Sequence, residues 1–119
     1  MKKLILLDSI TAIDASALGA VVVSGSHGGQ SSTGFAVRNP DKPALVFFND
    51  AGRGKDDAGI YCLEALQAIG VACACYGHMS ARIGDAQDGY ENGIISAVNA
   101  MASLSGLRIG MTVQQACEL

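Results

Sequence analysis

The sequence predicts a single three-layer α/β domain over residues 1–119, with a mostly parallel sheet of about four strands and helices on both faces. Three observations lead there. The chain has 119 residues, 50% hydrophobic and 16% charged, which suits one domain and is too short for two ordinary ones. Three of its short apolar runs are continuous rather than alternating, the pattern of strands covered on both faces. Helix-like segments separate those runs, in the order of βαβ units.

The apolar run Leu4–Leu7 comes first. Only about a dozen residues join it to the next strand, close to the minimum for a parallel crossover, so it fits a parallel strand or one side of a loose hairpin. Ala20–Val23 is the second run. A helix over Ser31–Asn39 follows and stops before Pro40, because a residue preceding proline avoids helical dihedrals. Ala44–Phe48 is the next strand. A second helix starts near Asp57, with Cys62, Ala65, Leu66 and Ile69 on one face and Gly70 as its left-handed stop. Val71–Tyr76 is the fourth strand. The spacing of Ile94, Val98, Met101 and Ala102 predicts a long third helix over Gly89–Leu104, opened by Asp88 and Glu91 as a capping box and closed by Gly106. A short last helix begins at Thr112, with Gln115 at the reciprocal capping position.

Composition excludes several function classes. The net charge of −3 lacks the basic face of a nucleic-acid binder. Met1-Lys2-Lys3 imitates a signal peptide, but the apolar run behind it is too short and ends at Asp8. No stretch approaches the roughly 20 apolar residues of a membrane span, so a soluble cytoplasmic protein is expected. The four cysteines, Cys62, Cys73, Cys75 and Cys117, contain no C-x-x-C pair and read as free, buried thiols. Cys73 and Cys75 share one strand face. Aromatic residues make up 5% and tryptophan is absent, so Ala, Val, Ile and Leu must build the core. So small a core leaves apolar surface and predicts a homo-oligomer.

The unusual chemistry collects after the strand ends, where α/β sheets bind ligands. The loops are Ser24–Gln30, Asn49–Asp57 and Tyr76–Asp85, and they hold both histidines. His27 and His78 are candidate acid–base groups, Asp50 a carboxylate to orient one of them, and Ser26 and Ser80 possible nucleophiles. Gly28 and Gly29 lead into a helix and could offer free amides to an anion, aided by Lys55 and Arg82. Asp85 completes the substrate-binding set and could also pair with Arg82. Neither glycine-rich loop matches the dinucleotide or P-loop pattern, there is no G-x-S-x-G elbow, and no cofactor motif is present. The residue types permit a divalent metal on the two histidines, Asp50 and Asp8, but the local spacing of metal-binding histidines is missing, so no metal is expected.

Three motifs, Gly25-Ser-His-Gly-Gly29, Asn49-Asp-Ala-Gly52 with Gly54-Lys-Asp56, and Ser80-Ala-Arg-Ile-Gly-Asp85, occur together. The combination resembles a group of small bacterial α/β proteins to which no activity is attached, over about Asp8 to Asn99. The resemblance implies fold and cytoplasmic location only. From the residues themselves, the expected function is a small-molecule enzyme acting on a polar, anionic substrate by histidine-assisted acid–base chemistry, hydrolysis ahead of lyase or isomerase reactions. A non-catalytic anion-binding or regulatory module, or a subunit of a larger complex, is the alternative.

Overall fold

In the computed structural model, which describes residues 2–119, strands Leu4–Leu7 (β1), Val21–His27 (β2), Leu45–Asn49 (β3), Ala72–Tyr76 (β4) and Ile95–Val98 (β5) form one sheet in the order β1-β2-β3-β4-β5. The first four are parallel and β5 is antiparallel to β4. The helices are Gln30–Arg38 (α1), Cys62–Gln67 (α2), Ala86–Asn92 (α3), Ala100–Leu104 (α4) and Val113–Cys117 (α5).

Alternation across the strands sorts the core into two layers. Val21, Val23, Leu45, Phe47, Ala74, Tyr76 and Ile95 face α3, α4 and α5. Val22, Val46, Phe48, Cys73 and Cys75 face the other way, onto Ile10, Ala36, Cys62 and Leu66. Strands β2, β3 and β4 are buried on both faces, which is why their apolar runs are unbroken. Leu4–Leu7 is a parallel edge strand. Two short 3-10 turns, Ile10–Ala12 and Ala15–Ala17, make its crossover, each opened by a side-chain cap from Ser9 or Asp14.

The sheet has five strands, one more than the sequence predicts, because the long third helix does not exist. Asn92-Gly93 ends α3, Ile95 and Ala97 turn inward as alternate strand residues, and Asn99 caps a separate α4. The apolar positions that fit a helical period also fit this strand and helix. Two β-branched isoleucines after a glycine favour the strand. The capping residue of α3 is Asp85, whose carboxylate accepts from the Asp88 amide, so Asp88 and Glu91 are not the capping pair. On α2 only Cys62 and Leu66 are buried; Ile69 lies beyond the helix and is exposed. The stops at Gly70 and Gly106 and the Thr112–Gln115 capping box form as expected.

Helices cover both sheet faces, and several of the exposed apolar side chains sit on turns and helix ends, among them Leu18, Met79, Leu104 and Ile109. Among the described residues no helix is long and apolar enough to cross a membrane.

Asn99 joins three elements. Its carbonyl accepts from the amides of Cys73 (3.1 Å) and Ala102 (2.9 Å), and its amide donates to the carbonyls of Val71 (3.0 Å) and Leu63 (3.2 Å). Asn99→Ala removes a helix cap and strands a buried amide. The expected cost is about 3 kcal/mol, roughly 10 °C in a thermal unfolding scan.

Candidate functional site

Strands β2, β3 and β4 bring His27, Asn49 and Tyr76 side by side at their carboxyl ends. The backbone pairing runs one residue further: the Gly28 amide donates to the Asn49 carbonyl, and the Asp50 amide to the Tyr76 carbonyl. Asp50 therefore leaves β3 with a fixed direction. Its carboxylate is buried, with the side chain 7% exposed, and four donors satisfy it. Oδ1 accepts from the amides of Gly52 (2.8 Å) and His78 (2.9 Å) and from His78 Nδ1 (3.2 Å); Oδ2 accepts from Ser96 Oγ (2.7 Å). Burial would raise the Asp50 pKa. The Ser96 hydroxyl, the two amides and His78 outweigh it and hold the group below the ordinary carboxylate value.

His78 follows β4 and keeps half of its side chain in solvent. Because the ionised carboxylate only accepts, the neutral ring carries its proton on Nδ1 and presents the Nε2 lone pair outward. Nε2 has no hydrogen-bond partner among the described residues. The ring lies over Gly52, whose added Cβ would sit 3.5 Å from Nε2. A shallow depression beside it is lined by His78, Met79, Ser80, Ala81, Arg82 and Asp88.

The other predicted site residues divide sharply. His27 has partners of its own: its Nδ1 accepts from the Gly29 amide (3.0 Å), which leaves Nε2–H to meet Ser32 Oγ (3.2 Å). No hydrogen bond links it to Asp50 or His78 among the described residues. The Gly28 and Gly29 amides are both occupied, by Asn49 and His27, so neither is free for an anion. The Ser80 hydroxyl is engaged by backbone, donating to the Gly77 carbonyl (2.6 Å) and accepting the Ile94 amide (3.0 Å). Ser26 likewise accepts the Ile10 amide (2.9 Å). Asp85 caps α3, and Arg82 approaches Asp88 rather than Asp85, its Nη1 at 3.9 Å. Lys55 is exposed on the turn after β3 and lines neither that depression nor one lined by Asp56–Ala58, Ile60, Tyr61, Leu63 and Glu64. Asp8 accepts the first amide of α3, from Ala86 (2.9 Å). Among the described residues no three His, Cys, Asp or Glu side chains form a group that could hold a metal.

Steric demands explain two of the crest glycines. A Cβ on Gly25 would meet Asp8 O and Asp85 N at 2.6 Å and Gly84 C at 2.7 Å. A Cβ on Gly59 would lie 2.2 Å from Asp50 O, so the turn after β3 can close onto Asp50 only with glycine there. In that turn Ala51, Arg53, Asp56 and Asp57 all have positive φ, between 52° and 67°. Such dihedrals cost roughly 1–2 kcal/mol per residue and persist only where the surroundings impose them. The imposing contacts are Arg53 N to Asp50 O and Gly59 N to Arg53 O, each 2.7 Å, and a two-bond Arg53–Asp57 ion pair.

Sequence reasoning missed Ser96, which grips the outer oxygen of Asp50. Its signal was the alternation Ile95-Ser96-Ala97, in which serine is the outward residue of a strand. Asn49 was also missed. It is fully buried, donates to the Ala81 carbonyl and accepts the Ala51 amide, fixing both loops that carry the site. No protein-family model matches this chain, and no curated protein or solved structure matches it either.

Proposed function

We propose that the protein is a small-molecule enzyme in which His78, oriented by Asp50, acts as general base and then general acid on a polar, anionic substrate. The observation that carries the proposal is the buried Asp50 carboxylate on His78 Nδ1, with Nε2 open to solvent. Nε2 takes a proton from water, and the water attacks the substrate. Asp50 stays ionised and stabilises the imidazolium, which returns the proton to the leaving group. With Ser80 and Ser26 engaged by the backbone, water is the nucleophile, which favours hydrolysis. Arg82, 81% exposed at the rim of the depression, supplies the cation that holds the anionic group. The reaction needs no cofactor, and the four free thiols suit a cytoplasmic site of action.

A panel of aryl esters of carboxylic, phosphoric and sulfuric acids tests this. The wild-type protein is expected to turn over at least one member, and His78→Gln to lose about 10²–10⁴-fold of that rate. Equal rates for the two proteins on every member would contradict the proposal and favour a non-catalytic binding module. Homo-oligomerisation belongs to the same proposal. It is supported by the exposed Leu104, Ile109 and Leu119, Leu104 being 85% exposed. Light scattering at micromolar concentration is expected to give at least a dimer mass; a monomer mass would refute it.

A further inference from the structure

Three of the four thiols meet behind the site. Cys62 opens α2, and Cys73 and Cys75 project from β4 onto the same layer; all three are fully buried. Cys62 Sγ lies 3.3 Å from Cys75 Sγ, although the two belong to different elements. We infer that Cys62 and Cys75 are a redox-active dithiol, reduced in the resting protein and closed to a disulfide by hydrogen peroxide.

Geometry and access both support the pair. Bond formation needs an S–S distance of about 2.05 Å, so the two sulfurs must close by only about 1.3 Å. Cys62 follows directly on the strained turn before α2. Residues 51–58 are all exposed, none of Lys55–Ile60 is buried, and four of its side-chain-bearing residues hold positive φ. A segment with so few buried contacts opens locally at low cost and uncovers Cys62. Contact with Cys73 together with burial pushes the Cys62 thiol up, and contact with Cys62 together with burial does the same to Cys75. Little thiolate is therefore present at neutral pH, and oxidation is slow on the scale of peroxide-sensing cysteines.

The chemistry balances in two steps. The Cys62 thiolate attacks one peroxide oxygen, giving a sulfenic acid and hydroxide. The Cys75 thiolate then attacks that sulfur, the S–S bond forms, and a second hydroxide leaves. The two thiol protons convert both hydroxides to water, and the pair loses two electrons to the peroxide. Closure also pulls on the site's support. The Cys62 amide donates to Gly28 O at 2.8 Å, and a Cβ on Gly28 would meet Cys62 Sγ at 2.5 Å and Gly59 O at 2.6 Å. Gly59 in turn rests against Asp50 O.

The test uses the folded Cys117→Ala chain, so that the half-buried fourth thiol takes no part. Hydrogen peroxide is expected to lower the free-thiol count from three to one, with a loss of two hydrogens in the intact mass, reversed by dithiothreitol. Cleavage after Glu64 separates Cys62 from the β4 cysteines, and the oxidised digest is expected to keep the two peptides joined. Cys73→Ala should retain the cross-link and Cys75→Ala should lose it. Three thiols persisting after oxidation, or a cross-link that survives Cys75→Ala, would overturn the inference. These readouts are independent of any turnover by His78.

Discussion

Asp50→Asn is expected to lower turnover by about 10³–10⁴-fold while the chain stays folded. The amide keeps the shape of the carboxylate and can still accept from Gly52 and His78, but it carries no charge to stabilise the imidazolium. A cost of about 1–2 kcal/mol at neutral pH is expected, because charge-assisted hydrogen bonds become neutral ones. Its pH dependence has a definite sign. The folded-state pKa of Asp50 lies below its unfolded value, so its stabilisation is fully present above about pH 4 and is lost as the pH falls through the folded value. Urea midpoints of wild type and Asp50→Asn should therefore converge as the pH falls below about 4, where the unfolded carboxylate begins to take up its proton. A gap that persists undiminished well below about pH 4 would show that the carboxylate is not stabilised in the fold.

Gly25→Ala carries the largest expected loss of stability. The new methyl group would meet backbone atoms of Asp8, Gly84 and Asp85 at 2.6–2.7 Å, and backbone cannot rotate away as a side chain can. The same approach carries the hydrogen bond from Gly84 N to Gly25 O, 2.7 Å. Overpacking against rigid surroundings is expected to cost about 3 kcal/mol or more, a fall of roughly 10 °C in Tm. Ser24→Ala, one residue away, loses one hydrogen bond to the Phe47 carbonyl and should cost about 1 kcal/mol. A Gly25→Ala protein as stable as Ser24→Ala would show that the 80–85 segment does not lie on β2 as described.

Local signals were legible in the sequence wherever one segment decides its own structure. The continuous apolar runs located β2, β3 and β4, and the Thr112–Gln115 spacing located α5. Ile94–Val98 misled because the same apolar residues satisfy a helical period, and only pairing of Tyr76 with Ile95 and Cys75 with Ala97 selects the strand. Ser24–His27 looked like a loop from its small polar residues, yet it continues β2: Ser24 is buried and bonds the Phe47 carbonyl of β3, and Gly25 packs against the returning backbone of Gly84 and Asp85.

The site was half legible for the same reason. Asp50 and His78 each follow a strand end, and parallel strands place those ends on one edge. The occupation of the Gly28 amide by the Asn49 carbonyl is a contact between distant segments, so the glycine pair still looked available. His27 gave the same sequence signal as His78. What separates them is the acceptor: a carboxylate for His78, a backbone amide and a serine for His27.

That difference also gives the most direct test. The two neutral imidazoles should be opposite tautomers, readable from ring nitrogen shifts in long-range proton–nitrogen NMR spectra of uniformly labelled protein. The account predicts the Nδ1–H form for His78, with the Nε2 lone pair free, and the Nε2–H form for His27 in the same spectrum. An Nε2–H tautomer at His78 would mean that Asp50 does not hold the ring, and would contradict the acid–base role assigned to it.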